Sequence, residues 1–282
     1  MHTKVLLVAA TSSALMLGPT TPLFAGADVT APSLAVPPYA KFVVGQQLST
    51  GDLGDVRERV SWEAADDPGG VGLEDIRVWD RYTEDATWNR RLVYRGLGMS
   101  TEVVGRSNSI FTCSGYRQQY FQVTARDFAG NSSTDKTGAT PRIVDQTGIY
   151  LPWSDVNSQR DFDVVRSGNW DTSNFDGWIN GTTWKTRQEG ASVSYTRTYE
   201  KGQAVGLVMP TGPERGEADI FVDNTYKTTI DTNSPSNVHR VLTFQTKMPA
   251  GSHTLKIVNR ATVGHPKIDI DAVVYNIYGR GC

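Results

Sequence analysis

The chain has 282 residues and a formal net charge of -2, with 28 Lys and Arg against 30 Asp and Glu, so no excess of positive charge is available to neutralise phosphates or anionic lipid. Nucleic acid and membrane insertion are therefore not expected. The length is more than one antiparallel β domain usually needs, which makes two domains the expectation.

Residues 1–27 read as a secretory signal. Lys4 supplies the positive start, Val5 to Leu17 an apolar run interrupted by Thr11, Ser12 and Ser13, and Ala25-Gly26-Ala27 an A-x-A cleavage site. That run falls far short of the ~18 to 20 residues a spanning helix requires, so a secreted, extracellular protein is expected. An oxidising compartment permits Cys113 and Cys282 to pair. Pairing within the chain would need the C-terminal residue to fold back onto the other domain, so free thiols or a link between chains are the expectation.

After the leader, the Pro- and Ala-rich Asp28 to Pro38 reads as an extended lead-in or edge strand. Val56 to Ala64 alternates with Val60, Trp62 and Ala64 inward, and the turn Asp66-Asp-Pro-Gly-Gly70 ends it. Ile76 and Val78 mark a second strand and Leu92 to Tyr94 a third. Tyr120 to Asp127 is the strongest, with Phe121, Val123 and Ala125 inward, and Pro141 to Trp153 holds a last strand before a Gly and Pro break. Short strands about ten residues apart, separated by turn clusters, predict a β-sandwich over 28–150. The runs VSWEAADDPGGVG (60 to 72) and YFQVTARDFAGNSS (120 to 133) resemble bacterial immunoglobulin-like or fibronectin type III modules of secreted proteins. Gln119 stands where such modules often carry tyrosine. The resemblance implies a spacer or adhesion role without chemistry of its own.

The second half, 151–282, is organised around GEADIFVDNTYKTTID (216 to 231). Ala218, Ile220 and Val222 point one way and Asp219, Phe221 and Asp223 the other; Asp223 and Asn224 suit a tight turn, and Tyr226, Thr228 and Ile230 resume the alternation. Asp161 to Arg166, Ala191 to Tyr199, Gln203 to Met209, Val241 to Thr246, His253 to Asn259 and Lys267 to Tyr278 also read as strands. No stretch shows a sustained helical period, so a jelly roll or related two-sheet sandwich is predicted and the whole protein is all-β. The segments SGNW (167 to 170), GASVSYTRTY (190 to 199), GEADIFVDN (216 to 224), GSHTLKIV (251 to 258) and IDIDAVV (268 to 274) resemble galactose-binding-like sandwiches, similar to carbohydrate-binding modules, of secreted bacterial proteins. That resemblance implies the jelly roll, and a carbohydrate ligand in many relatives.

Trp153, Trp170, Trp178 and Trp184 lie among Asn, Gly, Ser, Thr and Asp. Flat indoles beside amides suit sugars, whose C–H faces stack on rings. Trp170 is expected in the core, while Trp178, Trp184, Asn180 and Trp153 are the expected carbohydrate-binding residues, the rings of Trp178 and Trp184 lying in loops. The pairs Asp161/Asp163 and Asp269/Asp271 share a strand side, but hydrogen bonding to loops is the favoured reading over metal or catalysis. No histidine spacing, nucleophile elbow or phosphate loop is present, so no catalytic residue, metal or cofactor is expected. The function to expect is non-catalytic attachment to a polysaccharide or glycan surface. Two other expectations stand beside it: an ancillary or degenerate part of a secreted hydrolase, and a purely structural wall or assembly protein.

Overall fold

The computed structural model describes residues 27–48, 55–82, 91–106, 119–138, 140–150, 159–200 and 202–277. Trp153, Cys113, Cys282 and residues 1–26 of the expected leader lie outside them. The described residues are strands and turns with one 3-10 turn, Ile179–Gly181, and all the strand ladders are antiparallel. No helix among them is long and apolar enough to cross a membrane.

The first half forms two sheets. Ser33–Phe42, Asp55–Ala65 and Ser100–Arg106 make one, and Arg91–Gly96, Leu73–Tyr82, Gln119–Asp127 and Ser132–Gly138 the other. Period-two alternation places Val60, Trp62, Ala64, Ile76, Val78, Phe121, Val123 and Ala125 in one buried cluster, as the sequence predicts. Gln119 is also buried, and its Nε2 donates to Asp80 Oδ1 at 3.0 Å. The amide thus satisfies an interior carboxylate on the neighbouring strand, where a tyrosine would have carried a hydroxyl.

The second half is a jelly-roll sandwich. Its five-stranded sheet runs Asp163–Ser167, Ser192–Tyr199, Gly251–Asn259, Glu217–Val222, Thr225–Asp231. The facing sheet runs Val238–Met248, Gln203–Thr211, Ala272–Ile277, Thr140–Asp145. The central hairpin turns on Asp223 and Asn224 at φ 50° and 63°, left-handed values that a two-residue turn of matching twist demands. Thr140–Asp145, read from sequence as closing the first half, instead pairs along its length with Ala272–Ile277. Buried Arg142 on that strand reaches Asp161 at 2.6 Å, and Tyr275 donates its hydroxyl to the same carboxylate at 2.9 Å.

The four-stranded sheet has both faces buried. Val205, Leu207, Met209, Phe244 and Val273 face the jelly-roll core, while Ala204, Val208, Leu242, Ala272 and Val274 pack against Phe42, Leu48 and Val56 of the first half. Gly206 lies on this second side, where an added Cβ would come within 2.7 Å of Leu242 Cδ1 and 3.0 Å of Val274 Cγ1. Backbone bonds reinforce the seam: Gly45 donates to Leu242 at 2.8 Å, Leu242 to Gln46 at 2.9 Å, and Leu48 to Arg240 at 2.9 Å. Glu58, turned inward by the same alternation that buries Val56 and Val60, accepts a bond from Asn276 Nδ2 across the seam at 2.8 Å. Burial pushes its carboxyl up to about 8; the Asn276 bond opposes that and Asp80 adds to it.

Folded Glu58 therefore keeps its proton from about pH 4.5, where the unfolded chain releases it, up to about 8. The folded state binds more protons over that window, so unfolding free energy falls as pH rises through it, by up to about 1.4 kcal/mol per unit for such a group, and levels off above. Urea unfolding between pH 5 and 9 is expected to show this decline, and Glu58→Gln to make it shallower. An unchanged slope in the variant would show that Glu58 is ionised in the fold.

Candidate functional site

Trp178 and Trp184 are buried, at 5% and 8% exposure, rather than open in loops. The polar stretch that suggested loops contains two short strands, Asp171–Asn174 and Thr182–Thr186, which pair with each other and with Ile268–Ile270 in a three-stranded sheet. Trp184 faces Ile270 in this register and joins the jelly-roll core, and the Arg166 guanidinium lies over its ring at 4.0 Å. Trp178 packs edge-on against His239 at 4.5 Å and Phe175 at 5.7 Å. Asn180 is exposed at φ 55°, but its Nδ2 donates to Asp145 Oδ2 at 2.9 Å. The structure does not bring Trp178, Trp184 and Asn180 into one ring-lined face. Trp170 is half-buried against the core, its Nε1 donating to the Ser167 carbonyl at 3.1 Å.

The turn holding Trp178 is clamped from behind. Arg240 donates to the carbonyls of Gly177 at 2.7 Å, Asp176 at 3.2 Å and Trp178 at 2.9 Å. Asp271, at the break between Ile268–Ile270 and Ala272–Ile277, accepts from Ile179 N at 2.8 Å, and burial pushes its carboxyl up to about 8 against that bond. Asp269 faces elsewhere and takes Arg215 at 2.8 Å, both side chains buried. Asp161 holds Arg142 while Asp163 is exposed. The two aspartate pairs are thus divided among separate partners, and neither forms a joint acid and base.

The polar cleft of this half lies at the other end of the short sheet. Asn169, Asp171, Lys185, Thr186, Arg187, Gln188 and Lys267 line a space of about 370 Å³, inside the range of roughly 300 to 1,000 Å³ typical of small-ligand sites. Its shape follows from local chemistry. Gly168 turns the chain at φ +85°, where a Cβ would come within 2.8 Å of Ala191 Cβ. Asn169 N donates to Gln188 Oε1 at 2.7 Å, and Thr186 Oγ1 to the Asn169 carbonyl at 2.7 Å, tying the two loops together. Buried Asn259 fixes the third, donating to the Gln188 and Pro266 carbonyls at 3.0 Å each. In the three-strand register Lys185 stands between Asp171 and Asp269. The side-chain amide of Asn169, Nε2 of Gln188 and the Lys185 ammonium have no protein partner among the described residues. Sequence reading missed this cleft; the visible signal was the alternation Trp184 in, Lys185 out, Thr186 in, Arg187 out.

In the first half, Asp28, Asp66 and Asp67 each bring one carboxylate oxygen within 4.8 Å of the others. Asp28 Oδ2 accepts from Val71 N at 3.2 Å and Asp66 Oδ2 from Gly72 N at 2.5 Å, so these acids brace the turn. Asp67 is held above the ordinary carboxylate value, first by desolvation and then by the charge of Asp28.

Fold and cleft together define a β-sandwich protein whose jelly-roll half carries a ligand-sized polar cleft at one end. No family model matches the chain. It is 30% identical over 116 residues to an A type blood alpha-D-galactosamine galactosaminidase of Flavonifractor plautii, covering 41% of this chain and 10% of that protein. It is 25% identical over 132 residues to an A type blood N-acetyl-alpha-D-galactosamine deacetylase of the same organism, covering 47% of this chain and 16% of that one. The chain therefore spans a minor part of the length of either relative. Among solved structures it is similar to the CBM36-1 domain of a multidomain xylanase from the hindgut metagenome of Trinervitermes trinervoides, at TM-score 0.33 and 16% identity over 50% of this chain and 99% of that one. A CBM35 from Cellvibrio japonicus gives TM-score 0.37 and 12% identity over 50% and 94%.

Because Trp184 fills the core, Trp184→Ala is expected to cost about 3 to 5 kcal/mol of unfolding free energy, measured by urea denaturation. A ring in an open loop would instead give a change within about 0.5 kcal/mol.

Proposed function

We propose that this is a secreted, non-catalytic carbohydrate-binding protein. Its jelly-roll half holds glycan in the cleft of Asn169, Lys185, Arg187 and Gln188, and the first sandwich, an immunoglobulin-like module, acts as a spacer fused to it. The observation that carries this reading is the cleft itself: side-chain amides and a cation left without protein partners among the described residues, held on loops that are braced from behind. Hydroxyl-rich ligands are recognised by such convergent donors and acceptors, and fixed loops reduce the ordering cost of binding.

Two further points support it. The names of both curated relatives describe proteins that act on a galactosamine sugar, and this chain matches only a minor part of each, as an attachment module within a larger enzyme would. A pair of carboxylates, as general acid and base, is not what lines the cleft: Asp171 is the carboxylate among its described lining residues, while Asp269 is held by Arg215 and Asp271 faces the backbone of Ile179.

Affinity electrophoresis through gels containing a panel of polysaccharides tests this. The intact chain is expected to be retarded by at least one of them. Asn169→Ala combined with Lys185→Ala should weaken retardation about tenfold, a loss of about 1.4 kcal/mol, while the melting temperature stays the same. Full retention by a folded double variant would remove the cleft as the binding site.

A further inference from the structure

The cleft carries a charge bias that narrows the ligand, on the carbohydrate reading just given. The alternation of Thr182–Thr186 sends Thr186 inward and Lys185 outward, and Arg187 follows on the same side. Lys185 stands beside Asp171 and Asp269 in the register yet forms an ion pair with neither. Asp269 is already engaged by Arg215 at 2.8 Å, with Lys267 Nζ also 3.8 Å away. Glu214 is shared in the same way, between Arg187 at 2.9 Å and Lys267 at 3.9 Å. Four cations, Lys185, Arg187, Arg215 and Lys267, thus stand against three carboxylates, Asp171, Glu214 and Asp269, at and behind the cleft. The surplus is positive, in a chain whose net charge is -2.

Burial sharpens the effect at the wall of the cleft. The Lys267 side chain is only 16% exposed, and its ammonium is held below its ordinary value first by desolvation, with Asp269 pulling the other way. An anion seated among Lys185, Arg187 and Lys267 would replace the hydration that Lys267 has lost, whereas an amino sugar would add a fourth positive charge beside them.

We infer that the cleft selects an acidic sugar, whose carboxylate or sulfate meets Lys185 and Arg187 while Asn169 and Gln188 hydrogen-bond its hydroxyls. The guanidinium of Arg187 offers a planar pair of donors suited to a carboxylate or sulfate, and Lys185 adds a mobile point charge. Asp171, directly across the strand pair from Lys185, limits how far the site tolerates a second negative group.

The test is retention of the intact protein in affinity gels of polygalacturonate, chondroitin sulfate and a neutral galactomannan, at low and high sodium chloride. Retention by one or both acidic polymers is expected, with little by the neutral one. Retention by polygalacturonate shows that a carboxylate suffices; chondroitin sulfate carries glucuronate beside its sulfate, so retention by it that is lost on desulfation assigns the sulfate. Retention should fall at least about tenfold as salt rises and the Debye length shrinks from about 10 Å to about 3 Å. Lys185→Gln with Arg187→Gln should abolish it; Lys185→Glu with Arg187→Glu serves as a second variant, and melting curves confirm that both fold. Equal retention by galactomannan, lost on Asn169→Ala, would overturn the acidic selection and leave carbohydrate binding standing. No retention by any polysaccharide would overturn both. Acidic retention that survives in the folded charge variants would also overturn the inference.

Discussion

The sheet of Thr140–Asp145, Ala272–Ile277, Gln203–Thr211 and Val238–Met248 packs apolar side chains on both faces, and the layout of the protein depends on that double burial. A strand buried on both sides reads as a continuous apolar run rather than an alternation, and VGLVMP in 205 to 210 does so. Each buried side chain at the seam, among them Phe42, Leu48 and Val56, contributes roughly 1.5 to 3 kcal/mol relative to exposure. The close approach requires a residue without a side chain at Gly206. It also forces a carboxylic acid, Glu58, into the interior, where it is tolerated in its neutral form with Asn276 as partner.

The seam constrains where the jelly roll meets a ligand. One broad face of the sandwich is covered by the first half, which leaves the loop ends and the outer face of the five-stranded sheet open to any ligand. At one loop end the bracing is polar and local: Asn259 ties Gln188 to Pro266, Thr186 ties Asn169, and Arg215 holds Asp269 and Asn237. Arg215 and Asp269 are both buried, and in such a pair removing one partner costs far more than the pair itself supplies. Its role is to hold Ile268–Ile270 and the 212–216 loop in place beneath Lys185 and Lys267. A site on braced loops is paid for in the fold and not at binding.

Much of the fold was legible. The hairpin at 216 to 231, the inward sets Val60-Trp62-Ala64 and Phe121-Val123-Ala125, and most strands of the jelly roll follow from period-two patterning. The short strands Asp171–Asn174 and Thr182–Thr186 did not, because DTSN and TTWKT are too brief and too polar to show a period, and their pairing with Ile268–Ile270 is set by residues far along the chain. That omission placed Trp178 and Trp184 in loops and made them a sugar platform, when one plugs the core and the other sits under Phe175 and His239. Lys185 and Arg187 passed unnoticed for the same reason, since charges at alternate positions gain meaning only once the strand is known. The membership of Thr140–Asp145 in the second sandwich was equally hidden, as nothing in TPRIVD names its partner.

The most direct measurement is mapping of backbone amide chemical shifts as an acidic oligosaccharide is titrated into the isotope-labelled protein. The account predicts shifts concentrated at residues 168 to 171, 185 to 190 and around 267, with the doubly buried strand Gln203–Thr211 unmoved. Shifts centred on the outer face around Phe221 and Tyr226, or on the turn at Trp178 and Asn180, would contradict it.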